Sequence, residues 1–198
     1  MLKRFSVLLF SLLVASCQTP DPVTIVPSLS AHPALAVRNP ADIAVLPIED
    51  ATLDRGFGKL RESMRQALMT KLTERLYSPL SDRVVDAALS SELPMGGETV
   101  LTPSYLKRVA GRSTEDALLA VRIDRWDETP LLTDKKVRFQ LQVAMVASDG
   151  EVLWSGGFGG EVKAGGLSAA PRDRELMARS CAELVASELL QNLPQRKP

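Results

Sequence analysis

The chain holds 198 residues with 24 basic and 24 acidic side chains, for a formal net charge of zero. A hydrophobic share of 45% and a charged share of 24% are those of a globular domain with its own core, which excludes a disordered or fibrous chain. No basic stripe with interleaved aromatics occurs, so nucleic acid is excluded as a partner, and one histidine with two cysteines leaves no Cys/His metal set.

Lys3 and Arg4 form a positive start, and Phe5 to Ala15 is an uncharged, mostly apolar stretch. It is too short to span a bilayer, which takes about 20 apolar residues, and it has the pattern of a signal peptide. Val14-Ala15-Ser16-Cys17 reads as a lipobox, with small residues just before a cysteine. Cys17 is the expected lipidation site and first mature residue, carrying a diacylglycerol thioether and an N-acyl chain. No other cofactor is expected. Stable anchoring takes about two lipid chains, and a triacylated cysteine exceeds that. Gln18 and Thr19 follow, without the Asp of an inner-membrane retention signal, which favours the outer membrane. Without Lys3 and Arg4, the 24 basic residues fall to 22 against 24 acidic ones.

Prolines 20, 22, 27, 33 and 40 mark residues 17–41 as a semi-extended tether. At about 3.1 Å per residue its reach is at most roughly 70 Å. His32 lies inside it, read as solvated and outside the fold, so a Ser-His-Asp site cannot be assembled. Residues 42–193 are expected to form one domain and residues 194–198 a polar tail.

Ile43 to Ile48 is a continuous apolar run, expected as a strand buried on both faces. Leu60, Met64, Leu68, Leu72 and Leu76 predict an amphipathic helix, with Arg61, Glu62, Arg65, Lys71 and Glu74 on its solvent side. Tyr77 to Leu80 predicts a short strand, Asp82 to Leu89 a short helix, and Thr102-Pro103 the start of another that ends near Gly111. The period then becomes two. Leu119, Val121 and Ile123 alternate with polar or small residues, as do Val137, Phe139, Leu141, Val143 and Met145. Asp149-Gly150 predicts a tight turn. Val152, Trp154, Phe158 and Val162 are expected on one face of the next strand, interrupted by Gly156, Gly157, Gly159 and Gly160 at a bulge or a close packing site. A final helix is expected over residues 172–192, with Met177, Cys181, Leu184, Val185 and Leu189 on one face. Cys181 there reads as a small buried hydrophobe or, alternatively, as an intermolecular disulfide partner. The expected fold is α/β (α+β), a mixed five-stranded sheet with a βαβ start, an antiparallel three-strand meander and a C-terminal helix.

Three places carry a resemblance. Ile43-Ala44-Val45-Leu46-Pro47 with the Leu60–Leu76 helix, Asp116-Ala117-Leu118-Leu119-Ala120-Val121, and Asp149-Gly150-Glu151-Val152-Leu153-Trp154-Ser155-Gly156 follow one another as in the CsgG, LpoB and TolB N-terminal-like α/β fold of envelope lipoproteins. The chain departs from that pattern at Ile48-Glu49-Asp50. The resemblance implies a protein that acts by binding, either regulating or scaffolding a cell-wall or secretion complex, and not an enzyme. It also implies the alternative of self-association, as a subunit of an oligomeric CsgG-like structure.

Chemistry-bearing strings are few. Ser104-Tyr105-Leu106-Lys107 has the Ser-x-x-Lys spacing of a serine nucleophile, but the Ser-Asp-Asn and Lys-Thr-Gly elements that accompany it are missing, and Lys163-Ala164-Gly165 is a near miss. Asp124, Asp127, Glu128 and Asp134 gather with Arg122, Arg125, Lys135 and Lys136, a balanced mixture that reads as a solvated hairpin end. Glu49, Asp50 and Asp54 follow the first strand, where open α/β sheets place ligands, yet no glycine-rich phosphate cradle follows. They read as a surface loop or a contact patch. Arg122, Asp124, Arg138, Gln140 and Gln142 share the polar side of the meander and are the second candidate surface for an envelope partner. The same pattern also describes a plain solvated sheet face. The remaining partner is membrane lipid, through Cys17.

Overall fold

The computed structural model describes residues 25–52, 58–92, 94–164 and 173–197. Cys17 and Asp54 lie outside these residues, as does the start of the tether. In chain order the elements are β1 (Ile25–Ala31), α1 (Pro33–Arg38), β2 (Asp42–Val45), β3 (Glu49–Asp50), α2 (Gly58–Glu74), β4 (Ser78–Pro79), α3 (Asp82–Ala88), α4 (Pro103–Val109), β5 (Ala117–Asp127), α5 (Leu131–Asp134), β6 (Lys136–Ala147), β7 (Val152–Lys163) and α6 (Arg174–Gln191).

The apolar run of β2 is explained by its neighbours. β2 lies between β4 and β5 and runs parallel to both. A parallel connection crosses over with one hand, so stepping from β2 to β4 and then back past β2 to β5 puts the two crossovers on opposite faces. α2 accordingly packs on the inner face, with Leu60, Met64, Leu68 and Leu72 against Ile43 and Val45. α3 and α4 pack on the outer face, with Val85, Tyr105, Leu106 and Val109 against Ala44 and Leu46. Each fully buried leucine there contributes about 1.5–3 kcal/mol relative to exposure. β5, β6 and β7 form the expected antiparallel meander, and α6 lies beside α2 on its inner face through Met177, Cys181, Val185 and Leu189.

The sheet is mixed, as expected, but has seven strands rather than five, in the order β1-β7-β6-β5-β2-β4 with β3 also on β5. β3 is two residues long, too short to show a period, and resumes the pairing of β2 further along β5. β1 falls in the stretch expected to be tether. It pairs antiparallel with β7 along its whole length. Being an edge strand with Pro27 and two serines, it lacks the apolar alternation that would announce it. α1 follows, and His32 belongs to the fold after all. Its Nδ1 accepts a bond from the Ala34 amide at 3.2 Å and caps the helix. The tail is tied down as well, since the Tyr77 hydroxyl donates to the Pro194 carbonyl at 2.8 Å and Asn39 bonds both backbone groups of Lys197.

Three side chains depart from expectation. Leu76 lies beyond the end of α2 with φ 68° and is exposed, because the chain reverses there into β4. Val152 is exposed and Leu153 is buried, because the β6–β7 register shifts between Met145 and Val146. Arg65, expected on the solvent side of α2, is 8% exposed. Its Nε and Nη2 donate to the Val45 carbonyl at 3.1 and 2.8 Å, and its Nη1 and Nη2 donate to the Asp86 carboxylate at 3.0 and 2.8 Å. One guanidinium thus ties β2 to the helices of both layers.

Two substitutions test these contacts. Arg65→Ala leaves a buried carbonyl and a carboxylate without their donor, a loss of about 2–3 kcal/mol, read as a lower urea midpoint at unchanged m-value. Gly156 has φ 148°, and an added Cβ would sit 2.1 Å from the Ser28 carbonyl oxygen. Gly156→Ala therefore separates β1 from β7, and the amides across residues 25–31 exchange hydrogen faster while those of β5 keep their protection.

Candidate functional site

The helices of the outer layer cover only part of their face. α3 and α4 sit over Ala44, Leu46, Leu118, Ala120, Ala144 and Val146. The outer face of the meander beyond them has no helix on it among the described residues. Its registers join into rows across the sheet. Glu49 is opposite Arg122, Arg122 opposite Gln142, Gln142 opposite Gly157, and Gly157 opposite Ser28. The next rows bring Gln140 beside Gly159, then Arg138 between Asp127 and Glu161. Glu49 of the first candidate surface therefore joins Arg122, Asp124, Arg138, Gln140 and Gln142 of the second, whereas Asp50 is in register with core-facing Ile123 and does not.

The glycines shape this face. A Cβ on Gly157 would lie 3.4 Å from the Gln142 amide nitrogen, and one on Gly159 would lie 3.7 Å from Cγ of Gln140. The two glutamines lean over the bare backbone of β7 instead of standing off the sheet. Ser28 closes the row, its hydroxyl accepting from the Gly157 amide at 3.1 Å.

A register shift between Ile123 and Arg125 makes Asp124 an extra residue in β5. Arg122 and Asp124 form an ion pair at 3.1 Å beside it. The shift reverses the strand's alternation, so Arg125 joins the outer face and Trp126 turns into the core. Trp126 packs on Phe139, which packs on Phe158, with ring centres 6.5 and 5.5 Å apart. Period-two reading misses Trp126, because the bulge leaves no mark in the sequence. Glu128, expected at a solvated hairpin end, is half-buried, with its side chain 7% exposed. It accepts from the Trp126 indole at 2.9 Å and from Arg174 at 2.7 Å. Its charge and the surrounding apolar packing push the Cys181 thiol up to about 12, with burial the larger cause.

Arg122, Arg125, Lys136 and Arg138 of the outer face are each paired with an acid. Lys136 meets Glu161 at 2.6 Å, Arg138 meets Glu161 at 3.4 Å, and Arg125 meets Asp127 at 3.3 Å. The Lys136 bond holds the Glu161 carboxyl below its ordinary range, and bonds from Thr129 do the same for Asp127. Glu49 and Asp50 are committed to the backbone. Glu49 accepts from the Val100 amide at 2.7 Å, and Asp50 accepts from the Thr52 amide and hydroxyl at 2.9 and 2.6 Å.

Other chemistry-bearing groups are likewise engaged. The Ser104 hydroxyl donates to Glu98 at 2.7 Å, and Lys107 packs against Gly150 in the β6–β7 turn. Glu98 also receives Arg108 at 2.7 Å, and Arg108 lies over the Tyr105 ring at 5.2 Å. A groove of about 1210 Å³ runs between α2 and α6. It is lined by charges of both signs, including the pairs Lys59–Glu175 and Arg179–Glu183. No group of three His, Cys, Asp or Glu residues among the described residues is placed to hold a metal ion, and no described helix is long and apolar enough to cross a membrane.

No protein-family model matches the chain, and no curated protein matches it. Among solved structures it is similar to the lipoprotein GNA1162 from Neisseria meningitidis, at 20% identity and a TM-score of 0.44 over 78% of this chain and 99% of that one. It is also similar to the PelC dodecamer from Paraburkholderia phytofirmans, at 16% and 0.45 over 88% and 99%. For the LpoB C-terminal domain from Salmonella enterica the values are 16% and 0.39 over 62% and 82%. These likenesses are remote in both sequence and superposition, so a functional reading rests on the chain's own residues.

The Glu98 cluster generates a pH test. Arg108 first, then Ser104 and the Met95 amide, hold the Glu98 carboxyl at about 2 against an ordinary 4.5. A depressed folded-state value stabilises the fold above 4.5, and that contribution is lost as pH falls toward 2. The difference in melting temperature between the parent and Glu98→Gln is therefore expected to shrink over that window and to stay constant above it.

Proposed function

We propose that this chain is a lipid-anchored binding module of the bacterial envelope, facing the periplasm from the outer membrane, which regulates or scaffolds an envelope complex and catalyses no reaction. The observation that carries the binding role is the uncovered row from Glu49 through Arg122, Gln142 and Gly157 to Ser28, beside a part of the same face that α3 and α4 cap. Low relief over the glycines lets another backbone approach, and Gln140 and Gln142 offer donors and acceptors of both kinds. Balanced, paired charge suits a protein partner better than a polyanion.

The lipobox at Val14-Ala15-Ser16-Cys17 supports the anchor, and Gln18 in place of Asp supports the outer membrane. Engagement of the Ser104 hydroxyl by Glu98 and of the His32 Nδ1 by the Ala34 amide supports a non-catalytic role.

A photo-crosslinker at Gln140 in the full-length lipoprotein, in cells, tests the reading. One foreign protein is expected in stoichiometric yield, and it is expected to be lost when Arg138→Glu is added, at a stability cost of about 1 kcal/mol because the new carboxylate faces Asp127 and Glu161 across the sheet. A ladder of self-crosslinks with no foreign partner would replace this reading with the alternative, a subunit of an oligomeric assembly.

A further inference from the structure

β1 begins at Ile25, eight residues after Cys17. Extended chain spans at most about 3.5 Å per residue, so the start of β1 lies within roughly 28 Å of the cysteine, not the 70 Å that a tether through residue 41 would allow. The direction of approach is set too. Ile25 is opposite Gly160, Gly160 opposite Phe139, and Phe139 opposite Trp126. Because β1 and β7 are antiparallel, the chain before Ile25 leaves at the end of the sheet where β7 ends, β6 begins, β5 ends and α5 turns the chain.

That end differs from the other. It carries Leu132 on α5, 63% exposed, with exposed Lys135 and Lys163. Lys136 and Arg138 beside them are neutralised by Glu161, Asp127 is paired with Arg125, and Asp134 is the exposed acid of α5. Lys135, at φ 57°, and Lys163 form no ion pair among the described residues. The opposite end, at the β6–β7 turn, carries Asp42, Asp116, Asp149 and Glu151, against which Arg38 sets one cation, paired with Asp149 and Glu151 at 2.7 and 2.6 Å.

We propose that the α5 end of the sheet rests on the phospholipid headgroups, with Leu132 at the interface and Lys135 and Lys163 against phosphate. This rests on acylation of Cys17. An anionic surface attracts cations only within about a Debye length, roughly 8 Å at physiological salt, so a short anchor arriving at this end is what makes the charges count. The domain then stands on the membrane with its acidic end outward, and the outer face of the meander rises from the bilayer at a set height.

Buried Cys181 and acylated Cys17 leave an introduced cysteine as the reactive thiol. Full-length acylated protein with Leu132→Cys, or Ser148→Cys as the far-end control, is labelled with an environment-sensitive fluorophore and placed in phosphatidylethanolamine–phosphatidylglycerol vesicles holding a headgroup-quenching lipid. Quenching several-fold stronger at position 132 than at 148 is expected, reduced by Lys135→Glu with Lys163→Glu at unchanged acylation and circular dichroism. Equal, weak quenching at both positions with Cys17 acylated by mass spectrometry overturns the resting surface and keeps the anchor. Unacylated Cys17 overturns both.

Discussion

The placement of β2 between two parallel neighbours is the constraint from which the other features follow. It forces one crossover to each face, so both sides of β2 must be apolar and both helical layers must meet around it. Arg65 stands where they meet. Its fork satisfies the Val45 carbonyl at the end of β2 and reaches Asp86 on the opposite layer. A lysine would supply the charge there without the paired geometry.

The same constraint leaves the meander unequal. α2 and α6 together cover its inner face, whereas α3 and α4 are spent covering β2 and the near half of β5. What remains open on the outer side is narrow in relief, because Gly157 and Gly159 remove side chains and Gln140 and Gln142 lie across the gap. On the inner side, Gly156 lets β1 approach closely enough to complete the sheet. Alternate glycines on β7 therefore serve two faces in different ways. Addition of β1 also decides how the domain can stand relative to a lipid on Cys17, since it shortens the free tether and fixes the end from which that tether leaves.

Much of this was legible from residue order alone. The two-sided apolar run Ile43 to Ile48, the face Leu60-Met64-Leu68-Leu72, the alternation from Val137 to Met145 and the Asp149-Gly150 turn each record a local period or a local backbone demand; each forms the expected element, except that β2 stops at Val45, three residues short of the expected end of its strand. The polar residues Arg122, Arg138, Gln140 and Gln142 were legible as one side of a strand pair for the same reason. β1 was not, because an edge strand holding Pro27 needs only its partner's hydrogen bonds and carries no period of its own. The burial of Arg65 and the covered side chain of Glu128 were hidden too, since they depend on groups distant in the chain, namely Val45 and Asp86 for one, and Arg174 for the other.

The sequence by itself determined the mixed sheet, its βαβ unit, its meander and its closing helix, because hydrophobic period and turn chemistry act over a few residues. Only the tertiary structure decided that Glu49 joins Arg122 and Gln142 in one row, that Trp126 turns inward after a bulge, and that the fold begins at Ile25. Each of these is a pairing between strands far apart in the chain, and register between such strands is set by the whole sheet.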